Sequence, residues 1–201
     1  MEIQKLALGM FQANCYVVSE GNEAFLVDPG DRPEEILDYL NNHGLDLKFI
    51  LLTHGHLDHV NAVDGIVKVH KVPVYLHEAD RKAIDQKVNV FGKMTSQSLP
   101  VHEGMIIPFA GHKISVIETP GHSEGGVCFL VDGNLFVGDT LFRHSIGRYD
   151  LHGSDGEALF HSIRKKLYKL PDDTKVYPGH EMDTDIGHEK KYNMFVKGKI
   201  Q

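Results

Sequence analysis

Short apolar runs alternate with turn-forming residues along this chain, and the period of each run sets the element it predicts. Residues 3–8, 14–19 and 23–28 read as strands, with Glu20-Gly21-Asn22 as the hairpin turn between the second and third. Asp28-Pro29-Gly30 ends the third run. Asp31 then stands where a helix cap belongs, with Pro33 in the first turn of a helix over 33–43 and Gly44 just past its end. The unbroken run Phe49-Ile50-Leu51-Leu52 predicts a buried strand, followed by a helix over 59–70 and a strand over 72–76. Residues 86–104 have weak periodicity and read as a loop or a mobile cover.

The later half predicts strands at 114–119, 127–131 and 135–138, with Asp132-Gly133-Asn134 as a tight turn. Ser154-Asp155-Gly156-Glu157 has capping-box spacing and should open a helix running to 169. A short strand over 175–177 and a last helical turn or two at 186–193 complete the pattern. Strand–helix–strand units occur in both halves, with no repeat and no linker composition between them. The expectation is one domain over 1–201, of the α/β (α+β) class, with sheets covered by helices.

Composition narrows the functional classes. The 201 residues carry a net charge of −7 and are 41% apolar, which is ordinary globular composition. A chain of this length buries roughly 70% of its surface on folding and needs no disulfide staples. Cys15 and Cys128 each lie inside an apolar run, as inert core thiols do in a reducing compartment. Met1-Glu2-Ile3-Gln4-Lys5 has an acid at position 2 and no long apolar stretch after it, so no export signal is expected and the cytoplasm is the expected location. No stretch reaches the ~18 apolar residues of a membrane span, which argues against a membrane partner. The acidic balance argues against a nucleic-acid partner. Histidine changes the picture: there are 14, several of them clustered.

His54, His56, Asp58 and His59 fall within six residues, directly after the run 49–52. On an extended backbone residues 54, 56 and 58 would share a face, and His59 would join them if the chain turns into its helix there. Imidazole and carboxylate in this density suit zinc or iron. A lone loop histidine is ordinarily a solvated side chain and Asp58 could be a helix cap, but four such residues together point to a metal site. One loop does not readily enclose two ions, so other ligands should come from elsewhere. Three candidates each follow directly on a short apolar strand: His122 in Thr119-Pro120-Gly121-His122-Ser123, Asp139 in Gly138-Asp139-Thr140, and His180 in Pro178-Gly179-His180.

With those residues in view, the sequence resembles the metallo-β-lactamase-fold hydrolases over nearly its whole length. The resemblance rests on Asp28-Pro29-Gly30, the HxHxDH stretch at 54–59, Thr119-Pro120-Gly121-His122-Ser123, Gly138-Asp139-Thr140-Leu141-Phe142 and Pro178-Gly179-His180-Glu181. Within that superfamily it is most similar to short bacterial hydroxyacylglutathione hydrolases (glyoxalase II), whose ends resemble Ile186-Gly187-His188-Glu189 and Asn193. The resemblance implies a four-layer αββα sandwich. It implies one metal on His54, His56 and His122, a second on Asp58, His59 and His180, and Asp139 between them. The implied cofactors are two divalent ions, zinc first, with iron or manganese as other occupants. Asp58 and Asp139 would serve the catalytic centre, and a metal-bridging hydroxide would attack a thioester carbonyl.

Chemistry agrees with a thioester. Two ions about 3.5–4 Å apart need negative charge between them, and a bound metal brings the pKa of water down to about 7. A thiolate leaves with an unperturbed thiol pKa of about 8.5, so no protein acid is required, whereas an amide nitrogen must be protonated. In the family a basic residue nine positions after the bridging Asp contacts glutathione, and Arg148 stands there. A guanidinium holds a carboxylate through two hydrogen bonds, which suits glutathione's glycyl end. Asp150 and Met182 replace two family tyrosines, and with the chain ending at Gln201 the C-terminal helical substrate domain of the long form is expected to be absent. Both features weaken the case for a glutathione conjugate more than the case for a small thioester.

Rival readings share the fold. A mononuclear iron persulfide dioxygenase would use only His54, His122 and Asp139, and the complete second set argues against it. A lactonase remains a further alternative, while Asp139 disfavours the β-lactamase branch. His77-Glu78 and His180-Glu181 lack the second histidine of a zincin motif, since positions 81 and 184 hold Arg and Thr. Arg164, Lys165, Lys166 and Lys169 read as a solvated helix end. His43, His70, His102, His112, His144, His152 and His161 read as surface or packing residues.

Overall fold

The structure, a computed structural model, describes residues 1–197. The described residues divide into two compact units, one over residues 1–101 and one from residue 102 onward. In the first, β1 (Glu2–Leu8), β2 (Ala13–Glu20) and β3 (Glu23–Val27) form an antiparallel meander. Helix α1 (Pro33–Asn42) then crosses over to β4 (Asp46–Leu51), which lies parallel to β3. Helices α2 (Leu57–Val60) and α3 (Val63–His70) lead to β5 (Val74–His77), and α4 (Glu78–Asp85) leads to β6 (Leu99–Val101). The six strands run in the order β1-β2-β3-β4-β5-β6.

The second unit repeats this plan of meander and crossover. Strands β7 (Ile106–Phe109), β8 (His112–Glu118), β9 (Val127–Val131) and β10 (Asn134–Gly138) are antiparallel neighbours. A small ribbon, β11 (Leu141–Phe142) with β12 (Ser145–Ile146), precedes α5 (Gly156–Lys165). The chain then enters β13 (Lys175–Pro178), parallel to β10, and continues through β14 (Thr184–Asp185), α6 (Ile186–Tyr192) and α7 (Met194–Lys197). The second sheet has the order β14-β13-β10-β9-β8-β7. The α/β class expected from the alternation of patterns is the class observed.

Burial explains why these runs are strands. Nearly every residue of β2, β3 and the end of β4 is buried, on both faces, as in sheets with two covered sides. One face, with Cys15, Val17, Ala24, Leu26, Ile50 and Leu52, packs with Ile36 and Leu40 of α1 and Val63 and Ile66 of α3. In the second unit Cys128, Leu135 and Val137 pack with Leu159 and Ile163 of α5. Each such aliphatic side chain contributes roughly 1.5–3 kcal/mol. Both cysteines are buried and unbridged, and burial followed by the nearby Asp28 charge pushes the Cys15 thiol well up, which keeps it inert. Among the described residues no helix is long and apolar enough to cross a membrane.

Local details correct four expectations. Asp31 does not cap α1: the N-cap is Arg32, in the left-handed region at φ 48°, and the Asp31 carboxylate instead accepts the Arg32 N–H at 2.7 Å. The helix expected over 59–70 starts earlier and breaks in two, because the Ala62 N–H donates to the Pro29 carbonyl at 3.2 Å. At the helix expected from Ser154, the cap is Asp155, which accepts from the N–H groups of Glu157 and Ala158, while Ser154 Oγ donates to the Leu151 carbonyl. That helix also ends at Lys165, and a 3₁₀ turn over Leu167–Lys169 completes the length read as one element.

The segment 86–104 contains β6 and is tied down in its first half. Asp64 of α3 accepts from the backbone N–H and hydroxyl of both Thr95 and Ser96 at 2.7–3.1 Å, and the Asn61 side chain accepts from Lys93 N–H. Arg81 reaches the Ser96 carbonyl at 2.6 Å. Burial alone would raise the Asp64 pKa, but the hydrogen bonds from Ser96 and Thr95 outweigh it and hold the carboxyl below its ordinary value. Its stabilising effect is therefore present above the ordinary Asp pKa of about 3.9 and lost as pH falls through the depressed value. Asp64→Asn should cost about 1 kcal/mol at pH 7, the low end for bonds to a charge because the group is partly solvated. Urea titrations should show that gap closing below about pH 4.

Candidate metal centre

The candidate ligands of each unit gather at the carboxyl ends of its parallel strands, where open α/β sheets place their sites. In the first unit β3 delivers Asp28, and β4 delivers the segment from Thr53 to His59. The Asp28 carboxylate accepts the Thr53 N–H at 2.7 Å and the Thr53 hydroxyl at 2.5 Å, and its Oδ2 lies 3.1 Å from Nδ1 of His59. Thr53 Oγ1 in turn lies 3.1 Å from Nδ1 of His54. Both imidazoles are thus oriented through Nδ1, and the Nε2 atoms of His54, His56 and His59 are buried. Orientation of a ring by a carboxylate or hydroxyl on one nitrogen is what metal-binding histidines require on the other.

The backbone of this cluster is built around close approach. Alternation holds for His54 and His56, whose rings meet edge to face with centroids 4.7 Å apart. It fails for Asp58, because the chain turns into α2 directly after His56, the N-cap, and carries Asp58 and His59 on the first helical turn. His59 Nε2 is 3.9 Å from Asp58 Oδ2. A Cβ on Gly30 would overlap the carbonyl of Asp58, so only glycine lets the Asp28-Pro29-Gly30 turn press against this helix. The buried carboxylate of Asp80 in α4 accepts the Gly55 N–H at 2.8 Å, and Phe91 packs edge-on against His56. Asp28, Thr53 and Asp80 were not among the predicted site residues. Asp28 had a signal, an acid at a strand end followed by Pro-Gly; Asp80 had none, since it sits in a helix 25 positions away from the loop N–H it accepts.

In the second unit β8, β10 and β13 end in Thr119-Pro120-Gly121-His122, in Asp139 and in Gly179-His180. The Gly179 N–H donates to the Gly138 carbonyl at 2.7 Å, and the Thr119 and Thr140 hydroxyls meet at 3.2 Å, so the three strand ends hold one another. Asp155 N–H binds the Gly121 carbonyl and Ser162 Oγ binds the Pro120 carbonyl, which pins the His122 turn to α5. Oδ2 of Asp139 stands 3.5 Å from Nε2 of His122 and 3.5 Å from Nε2 of His180. That is longer than an N–H···O bond of about 2.7–3.2 Å. It is close to the ~3.3 Å that separates two ligand atoms around a tetrahedral ion with bonds of 2.0–2.1 Å. The donors of both units, imidazole nitrogens and carboxylate oxygens with oriented rings, therefore fit divalent metal.

Arg148 enters this region through its backbone. Its carbonyl lies 2.8 Å from Nδ1 of His122 and orients that ring, while its exposed guanidinium forms a two-pronged pair with Asp150 at 2.9 and 3.1 Å. The hydrogen bond and charge of Asp150 hold the guanidinium pKa up, and the same contact lowers Asp150. Gly147 beside it admits no Cβ, because the Asp139 carbonyl occupies that space.

The sequence pattern of the metallo-beta-lactamase superfamily matches residues 8–180, a span that holds every one of these ligands. The chain belongs to that superfamily. As a member of the metallo-beta-lactamase superfamily it is a metal-dependent hydrolase. It is 34% identical to the hydroxyacylglutathione hydrolase GloC of Haemophilus influenzae over 211 residues, covering 99% of this chain and 100% of that one. Among solved structures it is similar to the BLEG-1 B3 metallo-beta-lactamase, with a TM-score of 0.91, 35% identity, and 98% and 100% of the two chains covered. It is also similar to TTHA1623 in a di-iron-bound form, with a TM-score of 0.85, 41% identity, and 96% and 99% covered.

Asp28 offers a test of the orienting shell apart from the ligands themselves. Asp28→Asn keeps the size of the side chain but should weaken metal affinity about 10–100-fold, the range seen when such outer partners are removed. Metal content after dialysis against a graded chelator series measures this.

Proposed function

We propose that this chain hydrolyses small thioesters, with hydroxyacyl-glutathione as the substrate, using two divalent ions. One ion would be held by His54, His56 and His122, the other by Asp58, His59 and His180, with Asp139 shared between them. The observation that carries this reading is the placement of one Asp139 oxygen at 3.5 Å from both His122 and His180. Zinc suits this nitrogen and oxygen set, as do iron and manganese, and the di-iron form of TTHA1623 supports iron as an occupant. Such ions, when bound, lower the pKa of water and polarise a carbonyl oxygen.

The side chains do the rest. Asp139 would supply the negative charge that lets two cations share a small volume, from a side chain only 12% exposed, where water screens it less than at the surface. Asp58, only partly buried, would present a carboxylate to orient the proton of an attacking water. Asp28 and the Arg148 carbonyl keep His59 and His122 presenting the right ring nitrogen. Expulsion of a thiolate calls for no protein acid, which fits a cluster composed of carboxylates and imidazoles. For glutathione, the Arg148 guanidinium would exchange Asp150 for the glycyl carboxylate, a swap between like partners at an exposed site. The likeness to GloC supports the glutathione ester. The likeness to BLEG-1 favours a second reading, opening of a lactam ring, by the same cluster.

A substrate panel separates them. The purified protein should hydrolyse lactoyl-glutathione and other small thioesters with kcat/KM orders of magnitude above any β-lactam; the reverse ranking rejects the thioester reading. Asp139→Ala or His54→Ala should lower metal content and reduce kcat/KM by at least about 100-fold. Arg148→Ala should raise KM for glutathione esters several-fold with little change in kcat and no change for esters lacking the glycyl carboxylate. Equal effects on both esters would remove the guanidinium from substrate recognition.

A further inference from the structure

Away from the ligands discussed so far, the second unit brings together another set of nitrogen and oxygen donors. His144 sits in the turn between β11 and β12, and His188 and Glu189 sit in the first turn of α6. The Nε2 atoms of His144 and His188 are 2.6 Å apart, with ring centroids 4.8 Å apart and ring planes within 15° of each other. The nitrogen separation plus the two ring radii accounts for that centroid distance. The rings therefore lie nearly in one plane with Nε2 facing Nε2. Two facing imidazole nitrogens can share only one proton, so one lone pair always points into the gap.

A buried carboxylate adjoins the pair. Glu189 is fully buried, and its side-chain oxygens accept from the His144 N–H at 2.9 Å, the Asn193 amide at 2.9 Å and the Thr184 hydroxyl at 2.6 Å, all neutral donors. A ligand atom of each of the three residues lies within 4.8 Å of the others. The same contacts preorganise the pair. His144 is held in the left-handed region at φ 61° by the Glu189 bond to its N–H, and Asn193 Nδ2 donates to the neighbouring Ser145 carbonyl at 2.9 Å. Asp185 accepts the His188 N–H at 2.7 Å and fixes the start of α6.

We infer that His144 and His188 form a site for a divalent transition-metal ion, with Glu189 supplying the compensating charge. An ion would replace the shared proton, drawing the exposed His144 ring slightly outward, and water would fill its remaining positions. The class of ligand is a borderline cation such as Zn²⁺, Ni²⁺ or Cu²⁺, not the oxygen-seeking Ca²⁺ or Mg²⁺. Binding would clamp the β11–β12 turn to α6. That turn lies between Asp139 and Arg148, so the ion would stiffen the segment that positions His122. The inference stands on its own donors and does not depend on which ester the protein cleaves.

Calorimetric titration of the metal-loaded protein with Zn²⁺ tests it, using His144→Asn and His188→Gln, neither of which alters a residue of the proposed centre. Asn is among the side chains most tolerant of the left-handed backbone at 144, and His144→Gly serves as a second variant if Asn perturbs folding. The wild type should bind one equivalent more than each variant, and its melting temperature should rise with added Zn²⁺ where theirs does not. The extra equivalent should be lost, or its affinity should fall at least tenfold, in every variant. Equal stoichiometry, affinity and thermal response in wild type and variants would overturn the site and leave a proton-sharing histidine pair.

Discussion

A carboxylate oxygen held at ligand spacing from two imidazole nitrogens is the constraint around which the second unit is built. A single oxygen of Asp139 stands equidistant from the nitrogens of His122 and His180, at a spacing too long for hydrogen bonds and suited to ligation. A carboxylate only 12% exposed in that position gives up much of its hydration, which nearby positive charge restores. The rest of the second unit serves to hold it there: Gly179 binds the carbonyl of Gly138, Thr119 meets Thr140, and the His122 turn is bonded to α5.

The first unit solves a related problem with a different device. Three buried imidazoles within six residues would be disordered donors if each ring could rotate freely. Asp28, delivered from the neighbouring strand, grips Thr53 and His59 with the same carboxylate, and Thr53 touches His54. One acid thus sets the presentation of two rings. The close packing of Gly30 against α2 and the capture of the Ala62 N–H by Pro29 place that acid. Those contacts also break the helix that periodicity alone predicts as continuous. In both units candidate ligands sit at the ends of parallel strands joined through a helix, so core packing and site geometry are secured by the same crossover.

Chemistry distributed in this way separates what is catalytic from what is adaptable. The thioester reading draws on residues locked by core strands. The proposed recognition by Arg148, by contrast, would draw on an exposed guanidinium already paired with Asp150. The same residue's carbonyl, which orients His122, is fixed by the backbone and is indifferent to the side chain. On that proposal, substrate choice could drift at this loop while the strand-held cluster stays intact.

Much of the arrangement was legible in the linear pattern. Strands announced themselves through apolar runs with turn residues between them, because a strand buried on both faces tolerates little else. The candidate ligands stand out in the sequence because histidine and aspartate at strand ends, flanked by glycine, have few other uses in such density. Tertiary contacts decided the rest. Asp31 lost the cap position because its carboxylate bonds the very next N–H, and Asp155 took the cap from Ser154 because its oxygen reaches both free N–H groups of the first turn. The segment before β6 carries no period yet is held by Asp64, a bond that spans about thirty positions. Asp28, Asp80 and the facing rings of His144 and His188 belong to the same class. A chain records which groups it owns and their local spacing; which of them meet depends on how sheets and helices pack, and that information resides in contacts between residues far apart in order.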